Sequence, residues 1–276
     1  MRLAADPRVT AHLDAKQIPA LLDPTAYTGL CAEMARAAAR ARTTAAEIGR
    51  YRCRRPLSVS PTERPTMAEQ QTVAVYSDYK SPYAYLANDL VYELERDFPV
   101  RIDWLPYRLD IPSFLGSARL DGSGRVVEEQ RNAHQWRRVR YSYMDCRRQA
   151  RKRGLVIRGP QKIWDSTLAL CGMLYAKRQG DAVFRRYHDT VFERFWKREL
   201  DIEDVGVIGG ALAEAGADPA GFLDYSAGPG RAELDGIGHA AEAIGVFGVP
   251  SFVLDGELFW GREHLPDIRE MLGAAA

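Results

Sequence analysis

A β-rich run, TVAVYSD at residues 72 to 78, passes within a few residues into a Ser-Pro pair that opens a helical pattern over 81 to 97. A second β-rich run, VRIDWLPY, follows at 100 to 107, with apolar residues at Ile102 and Trp104. Two strand candidates flanking a helix make a βαβ unit. At its first corner, Ser81 can accept a backbone N–H as a helix cap, and Pro82 can fill the first helical position, where no N–H is required.

The other end of the chain returns to strand. In PSFVLDGELFWG (250–261) an Asp-Gly pair lies between two β-rich runs, as a hairpin turn should, and residues 262 to 272 read as a closing amphipathic helix. Between the two ends the pattern is helical. Val139, Tyr143, Cys146 and Ala150 share one face of a helix over 131 to 153. Phe184, His188, Val191 and Phe195 repeat that spacing over 181 to 199, so His188 is most simply a packed histidine. The Gly-, Ser- and Pro-rich stretch DIPSFLGSARLDGSGR (110–125) reads as a loop. The order βα, β, helical insertion, ββα predicts an α/β protein with a thioredoxin-like fold. Its two pieces are 67–110 and 236–276, interrupted by an all-helical domain over 111–235.

The first 66 residues read as a separate part. Residues 18 to 50 are alanine-rich with helical spacing, and the basic, proline-punctuated RYRCRRPLSVSPTERPT reads as a linker. Residues 1–66 carry 11 Lys/Arg against 6 Asp/Glu, while the remainder carries 27 against 31. Through DPRV and LLDPTAYTG this segment resembles the C-terminal tail of the carboxymuconate cycloisomerases of the fumarase and aspartase superfamily. It carries no catalytic part of such an enzyme, and the expectation is that it is appended sequence, with Met67 as the natural start. The four cysteines, Cys31, Cys53, Cys146 and Cys171, form no C-x-x-C and no metal-type cluster with the five histidines, so no metal site is expected. They read as thiols of a reducing cytoplasm, two of them in the core. The opening residues lack the apolar core of a signal peptide, and no apolar run is long enough to span a membrane.

Chemistry should gather where the first strand meets the first helix and where GVFGVPSF (245–252) enters the third strand. A proline cannot donate to a central ladder, so Pro250 belongs at a strand entry. X-Pro bonds are cis only about one time in twenty in folded proteins, and spacing alone favours trans.

SPYAYLA and GVFGVPSFVLDGELFWGREHL resemble the 2-hydroxychromene-2-carboxylate isomerases and kappa-class glutathione transferases of the DsbA-like thioredoxin superfamily, with the likeness extending over 72 to 272. The resemblance implies a cis Val249-Pro250 bond. It also gives Ser81 a second role. Redox members carry C-x-x-C where this chain has SPYA, and without either sulfur a protein dithiol cannot exchange. In glutathione-dependent members the serine matching Ser81 holds the thiol of bound glutathione, and the backbone of the residue matching Val249 clamps its cysteinyl amide. A Ser-Asp pair receives the γ-glutamyl end. Here those positions are Arg262 and Glu263, so the first departs from serine while the second can still meet an ammonium group.

The implied activity is a glutathione-dependent isomerase or transferase acting on a small aromatic or unsaturated 2-oxo acid, in a homodimer. The competing readings are a binding module that uses the proline loop without redox cysteines and, disfavoured by SPYA, a disulfide oxidoreductase. The basic run RRVRYSYMDCRRQARKRG is chiefly a solvated helix face, with Arg138 and Arg140 as candidates for pairing with a carboxylate. Near-balanced charge and the absence of a binding motif argue against nucleic acid. Trp164, in QKIWDS, is a candidate pocket wall or core residue.

Overall fold

The computed structural model describes residues 70–274, and the segment expected to be appended, residues 1–66, lies outside them with Cys31 and Cys53. The first strand, β1 (Thr72–Ser77), is rich in β-branched residues and buried along most of its length, as a central strand requires. It runs parallel to β2 (Arg101–Pro106) on one side and antiparallel to β5 (Ser251–Leu254) on the other. Strand β6 (Glu257–Trp260) adds the outer edge, giving the order β2-β1-β5-β6. The β5–β6 hairpin turns at Asp255 and Gly256, both with positive φ, which suits a tight turn between twisted strands.

Helix α1 (Pro82–Asp97) crosses from β1 to β2 and packs Leu86, Ala87, Val91 and Leu94 into the core. It stops at Phe98 because Pro99 follows, and the residue before a proline is pushed towards extended backbone. The chain then departs from expectation. Residues 110–125 hold a short helix, α2 (Ile111–Leu115), and the first strand of a hairpin, β3 (Ala118–Leu120) with β4 (Val126–Glu129). The Asp121 carboxylate closes the turn by accepting the N–H groups of Ser123 and Arg125 at 2.8 and 3.0 Å. The Asp, Gly and Ser residues that read as a loop are the turn of this hairpin.

Five further helices fill the interval before β5: α3 (Ala133–Lys152), α4 (Thr167–Lys177), α5 (Asp181–Lys197), α6 (Val205–Glu214) and α7 (Phe222–Ala227). A sixth, α8 (Pro229–Ala243), contains the expected junction at 235–236 and carries the chain back to the sheet. On α3, Val139, Cys146 and Ala150 are buried and Tyr143 is half-buried. On α5 all four residues of the expected face are buried, His188 among them. Cys146 and Cys171 are buried free thiols. The closing segment begins one turn later than the pattern suggested, with a 3-10 turn at Arg262–His264 before α9 (Leu265–Ala274). Among the described residues no helix is long and apolar enough to cross a membrane.

Helices α4 and α5 meet so closely that a Cβ at Gly172 would lie 2.1 Å from the Tyr187 hydroxyl. That hydroxyl is itself fixed, since it donates to the Ala169 carbonyl at 2.8 Å in the buried interior. Gly172→Ala therefore overpacks the contact and should destabilise the fold by about 1–3 kcal/mol. Denaturant unfolding checks this, and an unchanged midpoint would show that the two helices can part at little cost.

Candidate active site

The pairing of β1 with β5 sets two distant stretches side by side. Tyr76 sits opposite Ser251, so the chain leaving β1 towards α1 runs beside the chain entering β5 through Val249 and Pro250. Ser81 is the N-cap of α1, with extended backbone. Its Oγ accepts the Ala84 N–H at 3.2 Å and donates to the Val249 carbonyl at 3.3 Å. Both residues are nearly enclosed, with exposures of 4% and 7%. The Val249–Pro250 peptide is cis. The Val249 N–H makes no hydrogen bond to another described residue, whereas the Pro250 carbonyl is taken by the N–H of Gly261.

The Gly261 contact brings the turn after β6 into the same place. Arg262 and Glu263 both lie on the 3-10 turn, which packs against α1. Glu263 is exposed, and its carboxylate folds over Gly261, where a Cβ would come within 2.4 Å of it. Gly261 has a φ of 105°, which a residue with a side chain rarely adopts. The structure thus collects Ser81, Val249, Pro250, Arg262 and Glu263 around the mouth of α1. That mouth is electropositive, because the first-turn N–H groups point outward and no acidic side chain sits in the first turn.

Two charged residues beside Ser81 escaped the sequence reading. Asp78 is fully buried and Lys80 nearly so, with Lys80 Nζ 3.7 Å from the Asp78 carboxylate. The backbone N–H groups of Lys80 and Leu109 also donate to Asp78, at 3.1 and 2.8 Å. Burial raises the Asp78 pKa, while the Lys80 charge and the two N–H groups draw it back down without cancelling the rise. This carboxylate holds the β1–α1 loop to the end of β2. In SDYKS the two charges follow the strand end within three residues among polar neighbours, and nothing local marks them as buried.

Between Asp78 and Lys80, Tyr79 points into an aromatic cage. Its hydroxyl shares a 3.0 Å hydrogen bond with His188 Nδ1, and the His188 ring lies among Trp104, Phe184 and Phe192. Tyr83, on the first turn of α1, has its phenol pushed up to about 12, mainly by burial, with Cys146 adding to the rise. Burial pushes the Cys146 thiol up to about 12, with Tyr83 and the Arg262 charge pulling the other way, so Cys146 is a neutral packing group. Arg138 and Arg140 are exposed, and Arg140 stacks on Trp136. Trp164 lines a cavity of about 270 Å³ with Arg158 and Phe195, and neither Ser81 nor Val249 borders it. Among the described residues, no group of three or more His, Cys, Asp or Glu side chains is placed to hold a metal ion.

Comparison with known proteins bears on the family and the fold. Residues 72–273 match the DsbA-like thioredoxin domain family. The 2-hydroxychromene-2-carboxylate isomerase of Sphingobium xenophagum is 26% identical over 204 residues, covering 73% of this chain and 98% of that protein. The enzyme of the same name from Pseudomonas putida is also 26% identical, covering 73% and 94%. Among solved structures, a 2-hydroxychromene-2-carboxylate isomerase aligns with a TM-score of 0.57 at 22% identity, covering 74% of this chain and 95% of that one. A probable DsbA oxidoreductase from Streptomyces coelicolor aligns with a TM-score of 0.58 at 19% identity, covering 75% and 90%. At these identities the structural likeness establishes the fold.

Burial holds the His188 imidazole down to about 3. The unfolded chain takes up that proton near the ordinary value of about 6.5, while the folded chain refuses it until far lower pH. Stability supported by neutral His188 is therefore lost as pH falls from about 6.5 towards 3. His188→Phe should gain on the wild type by up to about 1.4 kcal/mol per pH unit in that window. Paired unfolding curves at pH 7 and pH 4.5 measure it; a difference independent of pH would mean that His188 ionises freely in the fold.

Proposed function

Since this chain belongs to the DsbA-like thioredoxin domain family, we propose that it is a glutathione-dependent isomerase or transferase acting on a small aromatic or unsaturated 2-oxo acid. The observation that carries this reading is the Ser81 hydroxyl at the mouth of α1, 3.3 Å from the backbone of the residue before Pro250. The relatives named as isomerases support the reaction class.

The residues present suit glutathione. Val249 has an N–H that bonds to no other described residue and a carbonyl at the strand entry, the two groups an extended peptide pairs with. Glu263 offers an exposed carboxylate to the ligand's ammonium group, and Arg262 beside it stands where an anionic ligand group can pair. Ser81 and the N-terminus of α1 are left for the sulfur. When bound, glutathione would supply a thiol nucleophile able to add reversibly to an activated double bond, which permits rotation and release of the other geometric isomer.

The work of this chain is to make that thiol a thiolate. An unperturbed thiol has a pKa near 8.5, so only a few per cent is ionised at pH 7. A hydrogen bond to a charged group contributes about 1.5–3 kcal/mol, and about 1.36 kcal/mol moves a pKa by one unit. One serine hydroxyl can therefore lower the thiol by roughly one to two units, and the positive end of α1 acts in the same direction. Thiolate becomes the main form near neutrality. C-x-x-C chemistry is excluded at this corner, because Ser81 and Ala84 carry no sulfur.

One observation favours a second reading. Phe247 and Trp260 are 61% and 50% exposed, with ring centroids 4.8 Å apart, immediately beside the Val249 backbone. Exposed aromatic side chains next to a strand entry also suit a module that binds peptides.

Calorimetric titration separates the two. The enzyme reading expects saturable binding of glutathione, affinity reduced several-fold by Glu263→Gln, and a bound-thiol pKa raised by about one to two units in Ser81→Ala. No heat of binding at physiological glutathione concentration would leave the peptide module as the better account.

A further inference from the structure

The Ser81 hydroxyl has one proton, and in this structure it is already committed. Oγ accepts from Ala84 and donates to the Val249 carbonyl. That carbonyl accepts from no other described residue, and it belongs to a residue that is almost wholly buried. A buried carbonyl that loses its donor costs about as much as a hydrogen bond to an anion returns. Turning the hydroxyl towards a sulfur therefore gains little unless another donor arrives at Val249.

We propose that the site works by a hand-over: the ligand's cysteinyl N–H replaces the Ser81 hydroxyl on the Val249 carbonyl, which frees the Ser81 proton to hydrogen-bond the sulfur. This rests on the glutathione reading and adds a specificity to it. The site activates only thiols that carry an N–H donor at the cysteinyl position, whatever their size or charge elsewhere.

The proton count balances. Serine keeps its O–H, the cysteinyl amide keeps its N–H, and the thiol proton leaves to water. Ala84 continues to donate to Oγ throughout, so the helix cap survives the change of partner. The peptide clamp and the sulfur site are thus one device, and a small thiol without an amide meets a hydroxyl that is still engaged.

The test uses glutathione and its depsipeptide analogue, in which an ester oxygen replaces the cysteinyl N–H. The thiolate absorbance of each is titrated against pH at saturating wild-type protein, relative to the same thiol free in solution. The expected result is a drop in pKa on binding that is larger for glutathione by about one unit, a tenfold difference in the thiolate-to-thiol ratio at any one pH. In Ser81→Ala the two drops should become equal. Equal drops in the wild-type protein overturn the hand-over while leaving the glutathione reading intact. Failure of glutathione itself to bind overturns both.

Discussion

A single hydrogen bond, from the Ser81 hydroxyl to the Val249 carbonyl, joins two points 168 residues apart and depends on most of the fold being correct. It requires β1 to pair with β5 in the observed register, since a shift of one residue would turn Val249 away from the mouth of α1. It also requires α1 to start at Pro82, so that Ser81 sits at the cap position with extended backbone. Helices α3 to α8 serve this geometry by returning the chain to the sheet at Ser251. A contact of this sequence separation carries a loop-closure cost that the packing of the intervening elements must offset.

The setting of that bond is electrostatically uneven. On one side is the positive end of a 16-residue helix with no acid in its first turn. On the other, Asp78 is buried beneath the β1–α1 loop and answered by Lys80 and two backbone N–H groups. The loop residues 78 to 80 are thus fixed by a buried ion pair and by the Tyr79–His188 contact, while Ser81 is left facing Val249. On the proposed reading this rigidity matters. A hydroxyl that must choose between a carbonyl and a sulfur can discriminate only if the backbone on both sides stays in place.

Much of this was legible in the sequence, for local reasons. The β1–α1 corner was visible because Ser-Pro is both a cap and a helix start, and the β5–β6 hairpin because Asp-Gly accepts positive φ at both turn positions. The buried faces of α3 and α5 followed from spacing alone. Where local signals compete, the reading stopped. The β3–β4 strands are short, and β4 is exposed throughout, so no alternation of apolar and polar residues betrayed them. Lys80 and Asp78 look like surface charges until the pairing of β1 with β2 buries them. The position of Arg262 and Glu263 beside α1 depends on the Gly261–Pro250 hydrogen bond, which belongs to the folded hairpin rather than to any local motif.

The most direct test of the central claim is a crystal structure of the protein with glutathione. The account predicts the sulfur within hydrogen-bond distance of Ser81 Oγ, at the first turn of α1, and the ligand's cysteinyl N–H on the Val249 carbonyl. A bound tripeptide with its sulfur elsewhere, and Ser81 still donating to Val249, would contradict it.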